Sequence, residues 1–283
     1  MTIPLSTEAI RAAVTTPVTA YTVGMALATL GALLLGTLTF IPRKQRRPRV
    51  VVRELVRTDW KYLGVAWAVT LVVNELAFRF HADRLVTDTV YALEGPVVAA
   101  FQTVTTPALT FGFAVLYLVG FPFLVLFSYF KLKVHDREQA CRYAMGYALL
   151  VVVAAPLFLA FPVRITGQYL PTVDPLLLTV HPVVGEGVLA TDTLVKAFPS
   201  LHTGLSVLAA LYARHSSRRY ATVAGVLAAG IVVSTFYLGI HWLVDAMAAA
   251  VLAGAAYHAS QRFPLPRFAR RSSGRTSHHQ QAD

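Results

Sequence analysis

The chain has 283 residues, of which 56% are apolar and only 14% charged, with a formal net charge of +11. An average soluble domain is about one quarter charged, so the composition excludes an ordinary soluble domain and points to an all-α, polytopic bundle of membrane helices. A single cysteine, Cys141, excludes an internal disulfide and a multi-cysteine metal site.

Residues 1–16 lack the basic start and small-residue cleavage site of a signal peptide, so the first span is expected to be retained. One helical crossing of the hydrocarbon needs about 20 apolar residues. In chain order the sequence predicts seven spans, at 18–41, 62–78, 108–130, 143–163, 200–213, 221–237 and 241–258. The fifth is short for a full crossing, and its helix is expected to begin below the membrane surface, with the preceding loop dipping in. Three regions follow: 1–140, with three spans and an apolar outer loop; 141–260, with the last four spans; and 261–283, a basic tail too polar to pack a core.

Of the 25 Lys and Arg residues, 20 lie in the segments joining spans one to two, three to four and five to six, and in the tail. The others are Arg11, Arg79, Arg84, Arg164 and Lys196. Cytoplasmic loops carry the excess of basic residues, so the N-terminus is expected outside and the C-terminus inside. On this reading the basic charge marks topology and attraction to anionic lipid heads, not a nucleic-acid partner. Two outer segments, 79–107 and 164–199, are too apolar for plain solvated loops and are expected to lie in the interface or fold over the helices.

The stretch "AFPSLHTGLSV" opens the fifth span. Alone, it reads as a helix cap, since Ser favours the N-cap position, with an incidental histidine. A second stretch, "STFYLGIHWLVD", places His241 at the same outer depth, in the expected first turn of the seventh span. Asp245 follows four residues later, on the same helical face. A carboxylate inside a span is costly and usually has a functional partner. Bonded to one imidazole nitrogen, it fixes the tautomer and leaves the other nitrogen with a lone pair. Free N–H groups at two helix starts would suit a phosphate.

Together, "FPSLHTG" and "STFYLGIHWLVD" resemble the last two signature motifs of the type-2 phosphatidic-acid phosphatase superfamily, Pro-Ser-Gly-His and Ser-Arg-x5-His-x3-Asp. Ser234, Thr235, His241 and Asp245 keep the spacing of the second. "PSLH" for "PSGH" and the missing arginine are most similar to the inositol phosphorylceramide synthase branch. The resemblance implies a phosphatidic-acid-phosphatase-type core and a phosphohistidine mechanism at the outer face. In it His241 attacks phosphorus, Asp245 orients His241, His202 protonates the leaving alcohol, and Ser200 holds phosphate oxygens beside Ser234 and Thr235. It implies no metal or other cofactor. The partners implied are a lipid phosphate or phosphodiester, an alcohol acceptor in the transferase variant, and membrane lipids.

The chain departs from this pattern twice. The usual first motif, Lys-x6-Arg-Pro, is not found, and Thr235 stands where the third motif has arginine. Arg164, Lys196 and Arg79 are the outer cations that could clamp the phosphate, and Arg164 is favoured for its position ahead of the second motif. Asn74 and Glu75 are expected in helix–helix hydrogen bonding; His181 on the surface; His258 as an interface anchor; Trp60, Tyr117, Tyr129 and Tyr220 in the interface or in packing. Two other classes stay open: a non-catalytic or transporter-like member, and a protein that ligates haem or metal through His202 and His241.

Overall fold

A computed structural model describes residues 7–43, 46, 60–80 and 85–264, and it is helical almost throughout, with no β-strand among the described residues. The helices of eight residues or more are α1 (Thr7–Phe40), α2 (Trp60–Phe80), α3 (Thr87–Glu94), α4 (Pro107–His135), α5 (Arg137–Ala160), α6 (Pro182–Thr191), α7 (Leu201–Ala213), α8 (Arg218–Tyr237) and α9 (Leu243–Arg262). A 3₁₀ turn, Val97–Gln102, joins α3 to α4. The tail from residue 265 lies outside the described residues.

All seven predicted segments are helical, and among the described residues five helices are long and apolar enough to cross a membrane: α1 from Val18, α4, α5, α8 and α9. The apolar part of α2, Gly64–Ala77, and α7 are shorter. All seven predicted segments are therefore helical, while five of them are full-length spans among the described residues. The 13 residues of α7 reach about 20 Å at 1.5 Å per residue, against a hydrocarbon core of about 30 Å.

Helix α7 sits among α4, α5, α8 and α9. Leu205, Leu208 and Tyr212 on it pack with Phe127 of α4, Leu150 of α5 and Ile231 of α8 in one core. Without a hydrophobic force between helices in lipid, small residues and polar ties hold such bundles. A Cβ on Gly204 would stand 3.1 Å from Leu150 Cδ2, so α5 and α7 approach closely. Tyr212 Oη and Ser260 Oγ share a hydrogen bond of 2.6 Å, and Ser128 Oγ and Tyr220 Oη one of 2.8 Å. At the basic end, Arg142 donates to the carbonyls of Ser260 and Gln261 and Lys131 to that of Phe40, satisfying the last carbonyls of α9 and α1. Helix α2 packs on α5 through Val73, Ala154 and Phe158. Leu27, Leu30, Leu34 and Leu35 of α1, Val226 of α8 and Val251 of α9 are each at least 61% exposed, a surface that suits lipid contact.

At the opposite end, residues 85–107 and 164–199 fold over the bundle. Residues 163–165 and 194–197 run side by side in a short parallel bridge: Val163 N–H donates to Val195 O, Ile165 N–H to Leu194 O and Ala197 N–H to Val163 O, each at 3.0 Å. This pairing sets the path by which the chain enters α7.

Candidate active site

The start of α7 follows from its sequence. A cis peptide precedes Pro199. Ser200, fully buried, is the N-cap, and its Oγ accepts from Thr203 N–H at 3.2 Å. The amides of Leu201 and His202 have no acceptor among the described residues, so the positive end of α7 keeps two free donors.

The turn between α8 and α9 is built differently from the sequence expectation. His241 is not in the first helical turn of α9: it precedes the N-cap, Trp242. Gly239 adopts φ +74°, and a Cβ there would lie 2.5 Å from Asp174 O, so only glycine fits both the left-handed backbone and the close approach. The amides of Ile240 and His241 then both donate to Thr235 O. Asp245, at the third helical position, reaches back. Its Oδ2 accepts from Trp242 N–H at 2.9 Å and from His241 Nδ1–H at 3.3 Å. The second contact is at the long end for such a bond, as catalytic contacts often are before substrate binds. Capping geometry, not a shared helical face, thus brings the pair together. Nδ1 is the donor because Asp245 accepts, which leaves Nε2 with the lone pair. Asp245 is 0% and His241 5% exposed.

His202 is held by α4. A π-helical turn at Leu116–Gly120, just before Pro122, presents Tyr117 and Phe121. Such π-turns are frequent at functional sites. The Tyr117 ring stacks on the imidazole at a centroid distance of 4.0 Å, and the Phe121 ring lies tilted against it at 4.2 Å. The rings of His202 and His241 are 6.3 Å apart, and Ser200 N–H donates to Asp245 O at 3.3 Å, tying the two motifs backbone to backbone. Both histidines line a cavity of about 420 Å³. It runs from them, past Lys196, into an apolar slot formed by Val69 and Val73 of α2, Val125 of α4, Val151 and Phe158 of α5 and Leu205 of α7.

The start of α9 is closed to an anion, contrary to the expectation of free amides at both helix starts. Glu94, at the end of α3, accepts from Leu243 N–H at 3.1 Å and Val244 N–H at 2.8 Å. With Asp245 on Trp242 N–H, the first amides of α9 are taken. Burial pushes the Glu94 carboxyl up, these two amides offset part of that, and the charge of Asp245 adds to it. Trp242, fully buried, donates Nε1–H to Arg164 O at 2.8 Å. Gln102 donates to Asp174 O and Tyr237 O, clasping the turn from outside.

The other predicted site residues divide. Lys196 lines the cavity and pairs with Asp192 at 2.6 Å. Arg164, the favoured clamp, has an exposed side chain that is not part of the cavity wall; its backbone instead donates to Thr87 Oγ1 and accepts from Trp242. Ser234 Oγ and Thr235 Oγ1 are buried and bond to Ile231 O and Val232 O of their own helix, so neither faces the cavity. The side chains of Arg79, Asn74 and Trp60 lie outside the described residues. His181 caps α6, accepting from Val183 N–H, and His258 is exposed near the far end of α9.

A family model of the PAP2 superfamily matches residues 89–259, more than half of the chain. The chain belongs to the PAP2 superfamily. Comparison with curated proteins and with solved structures finds no match. The superfamily match runs from α3 through α9, so it takes in both histidines, Asp245 and Lys196, together with Glu94 and the π-turn. Membership fits an integral membrane lipid phosphatase. Glu94, Phe121 and Asp192 were not singled out from the sequence of this PAP2 protein, and Tyr117 was read only as an interface or packing residue. The acidic Glu94 inside the apolar run "VYALEGPVVAAF" was the one available signal.

Proposed function

We propose that this PAP2 protein transfers a phosphoryl group from a lipid phosphate or phosphodiester through a phosphohistidine on His241. The observation that carries the reading is the opposition of His202 and His241 across one cavity, with Asp245 buried against His241. His241 Nε2 attacks phosphorus, the N–P bond forms, and the bond to the leaving alcohol oxygen breaks. His202 gives that oxygen its proton, a role typically worth about 10²–10⁴-fold. Asp245 fixes the tautomer and balances the charge developing on His241. The free amides of Leu201 and His202 and the ammonium of Lys196 hold the phosphate oxygens. Lys196 replaces Arg164 in this role because it lines the cavity and Arg164 does not. The apolar slot takes the lipid chain.

Water or an alcohol then accepts the group from His241. The side chain of Leu201, where the commoner motif has glycine, lines the apolar cavity wall, which favours a branch similar to the inositol phosphorylceramide synthases. The distribution of basic residues supports seven crossings, with the N-terminus outside, the C-terminus inside and the site on the outer side. The three regions 1–140, 141–260 and 261–283 are proposed as an accessory bundle, a catalytic core and a basic cytoplasmic tail. Thin-layer chromatography of ³²P-labelled dioctanoyl phosphatidic acid incubated with the pure protein tests the reading. Labelled phosphate or a labelled new ester supports it. Unchanged substrate, or turnover that persists in His241→Ala, contradicts it.

A further inference from the structure

His202 stands in the wall between two chambers, not at the end of one. Beyond the cavity shared with His241, a second space of about 370 Å³ opens between α1, the π-turn of α4 and α6. Tyr117, Phe121, Val188, Asp192 and His202 line both. The second has its own wall: Tyr21, Thr22 and Met25 of α1, and Leu118.

The chambers differ in charge. Lys196 lines the first and is absent from the lining of the second, which contains neither Lys nor Arg among the described residues. The ionisable groups facing the second are the Asp192 carboxylate, the His202 imidazole and the phenols of Tyr21 and Tyr117. Asp192 is paired with Lys196 and also accepts from Thr193 N–H. The one carboxylate there is already neutralised by Lys196 and no further cation lines the wall among the described residues, so the second chamber suits a neutral ligand. Nor is its size that of a water path. One water needs about 10–15 Å³, and Met25, Leu118, Phe121 and Val188 give the chamber an apolar body. Its polar groups, from Tyr21, Thr191, Asp192 and His202, can orient a hydroxyl.

We infer that the second chamber is the binding site of an acceptor alcohol with an apolar body, which makes the protein a phosphotransferase. The inference rests on the phosphohistidine reading above. Once the first alcohol has left with the proton of His202, the neutral imidazole is ready to accept another. The acceptor oxygen attacks phosphorus, its proton passes to His202, the O–P bond forms and the N–P bond to His241 breaks. The bound alcohol also keeps water from the phosphohistidine, which favours transfer over hydrolysis.

The test uses the full-length protein in detergent, ³²P-labelled dioctanoyl phosphatidic acid as donor and 1-octanol as acceptor. Octyl phosphate and inorganic phosphate are counted separately. Thr22→Trp places a large ring in the second chamber from an exposed position, and Met25→Trp fills it from a half-buried one. The wild type is expected to form octyl phosphate, and both variants to lower the ratio of octyl phosphate to inorganic phosphate by at least about tenfold. Inorganic phosphate without octyl phosphate from the wild type would overturn the acceptor site and leave the phosphohistidine reading standing. A wild-type ratio in both variants would also overturn it. No turnover of the donor at all would overturn the reading on which it rests.

Discussion

His202 and His241 face each other with ring centroids 6.3 Å apart, on backbones joined by the hydrogen bond from Ser200 N–H to Asp245 O. Both imidazoles thus border the same space, where a reacting group could meet one on each side. The roles are unequal. His241 has a buried carboxylate behind it, while His202 lies against two aromatic rings and has no carboxylate hydrogen-bonded to it among the described residues.

That inequality is testable through the leaving group. His202→Ala is expected to slow turnover of a dialkyl or acyl lipid phosphate by about 10²–10⁴-fold. With a p-nitrophenyl phosphate ester, whose leaving group needs no proton, the loss should be far smaller. His241→Ala should abolish turnover of both. Equal losses for the two substrates in His202→Ala would remove His202 from the role of acid.

Glu94 links the cap to the start of α9. Its removal in Glu94→Ala leaves the amides of Leu243 and Val244 without their acceptor, a loss of about 1 kcal/mol typical of a helix cap. Its pH signature is more specific. The carboxyl is raised above the ordinary glutamate value of 4.5 in the folded chain. The folded state therefore holds its proton more tightly than the unfolded one, and stability falls as pH climbs through the window just above that value. Glu94→Gln should flatten the decline of the thermal midpoint there. Parallel curves for the two proteins would show that Glu94 is not the group responsible.

The helices and the two motifs were legible because both rest on local pattern. Apolar runs marked all seven segments, and Pro199 with Ser200 marked the start of α7. What was not legible depends on contacts between segments far apart in sequence. Glu94 reaches α9 across most of the matched region, and nothing in either stretch alone announces it. Arg164 was favoured for its order in the chain, yet the bridge between residues 163–165 and 194–197 leaves its side chain exposed and brings Lys196 to the cavity. The i,i+4 spacing of His241 and Asp245 gave the right pair by a helical argument, while the structure makes the contact through a cap.

Gly239 carries a conformational requirement that side chains cannot meet. Gly239→Ala forces a Cβ toward Asp174 O and into a left-handed backbone. A loss of at least about 1 kcal/mol is expected, seen as a lower thermal midpoint in detergent. Because His241 hangs from this turn, activity should fall further than stability alone explains. A variant with wild-type midpoint and activity would show that the turn tolerates another geometry.

The side of the membrane can be read by labelling. Cys141 is buried, and His181 is exposed at the start of α6, so His181→Cys supplies an accessible thiol. A membrane-impermeant maleimide is expected to label it in intact cells. Labelling only after permeabilisation would place the site on the cytoplasmic side.

The central claim is a covalent bond from His241 to phosphorus. Rapid quenching of the protein with a ³²P-labelled lipid phosphate should trap label that is stable to alkali and lost in acid, as N-linked phosphate is, on the peptide containing His241. Glu94→Gln should retain this label and His241→Ala should lose it. Turnover with no trapped label under any quench, or label that survives His241→Ala, would contradict the account.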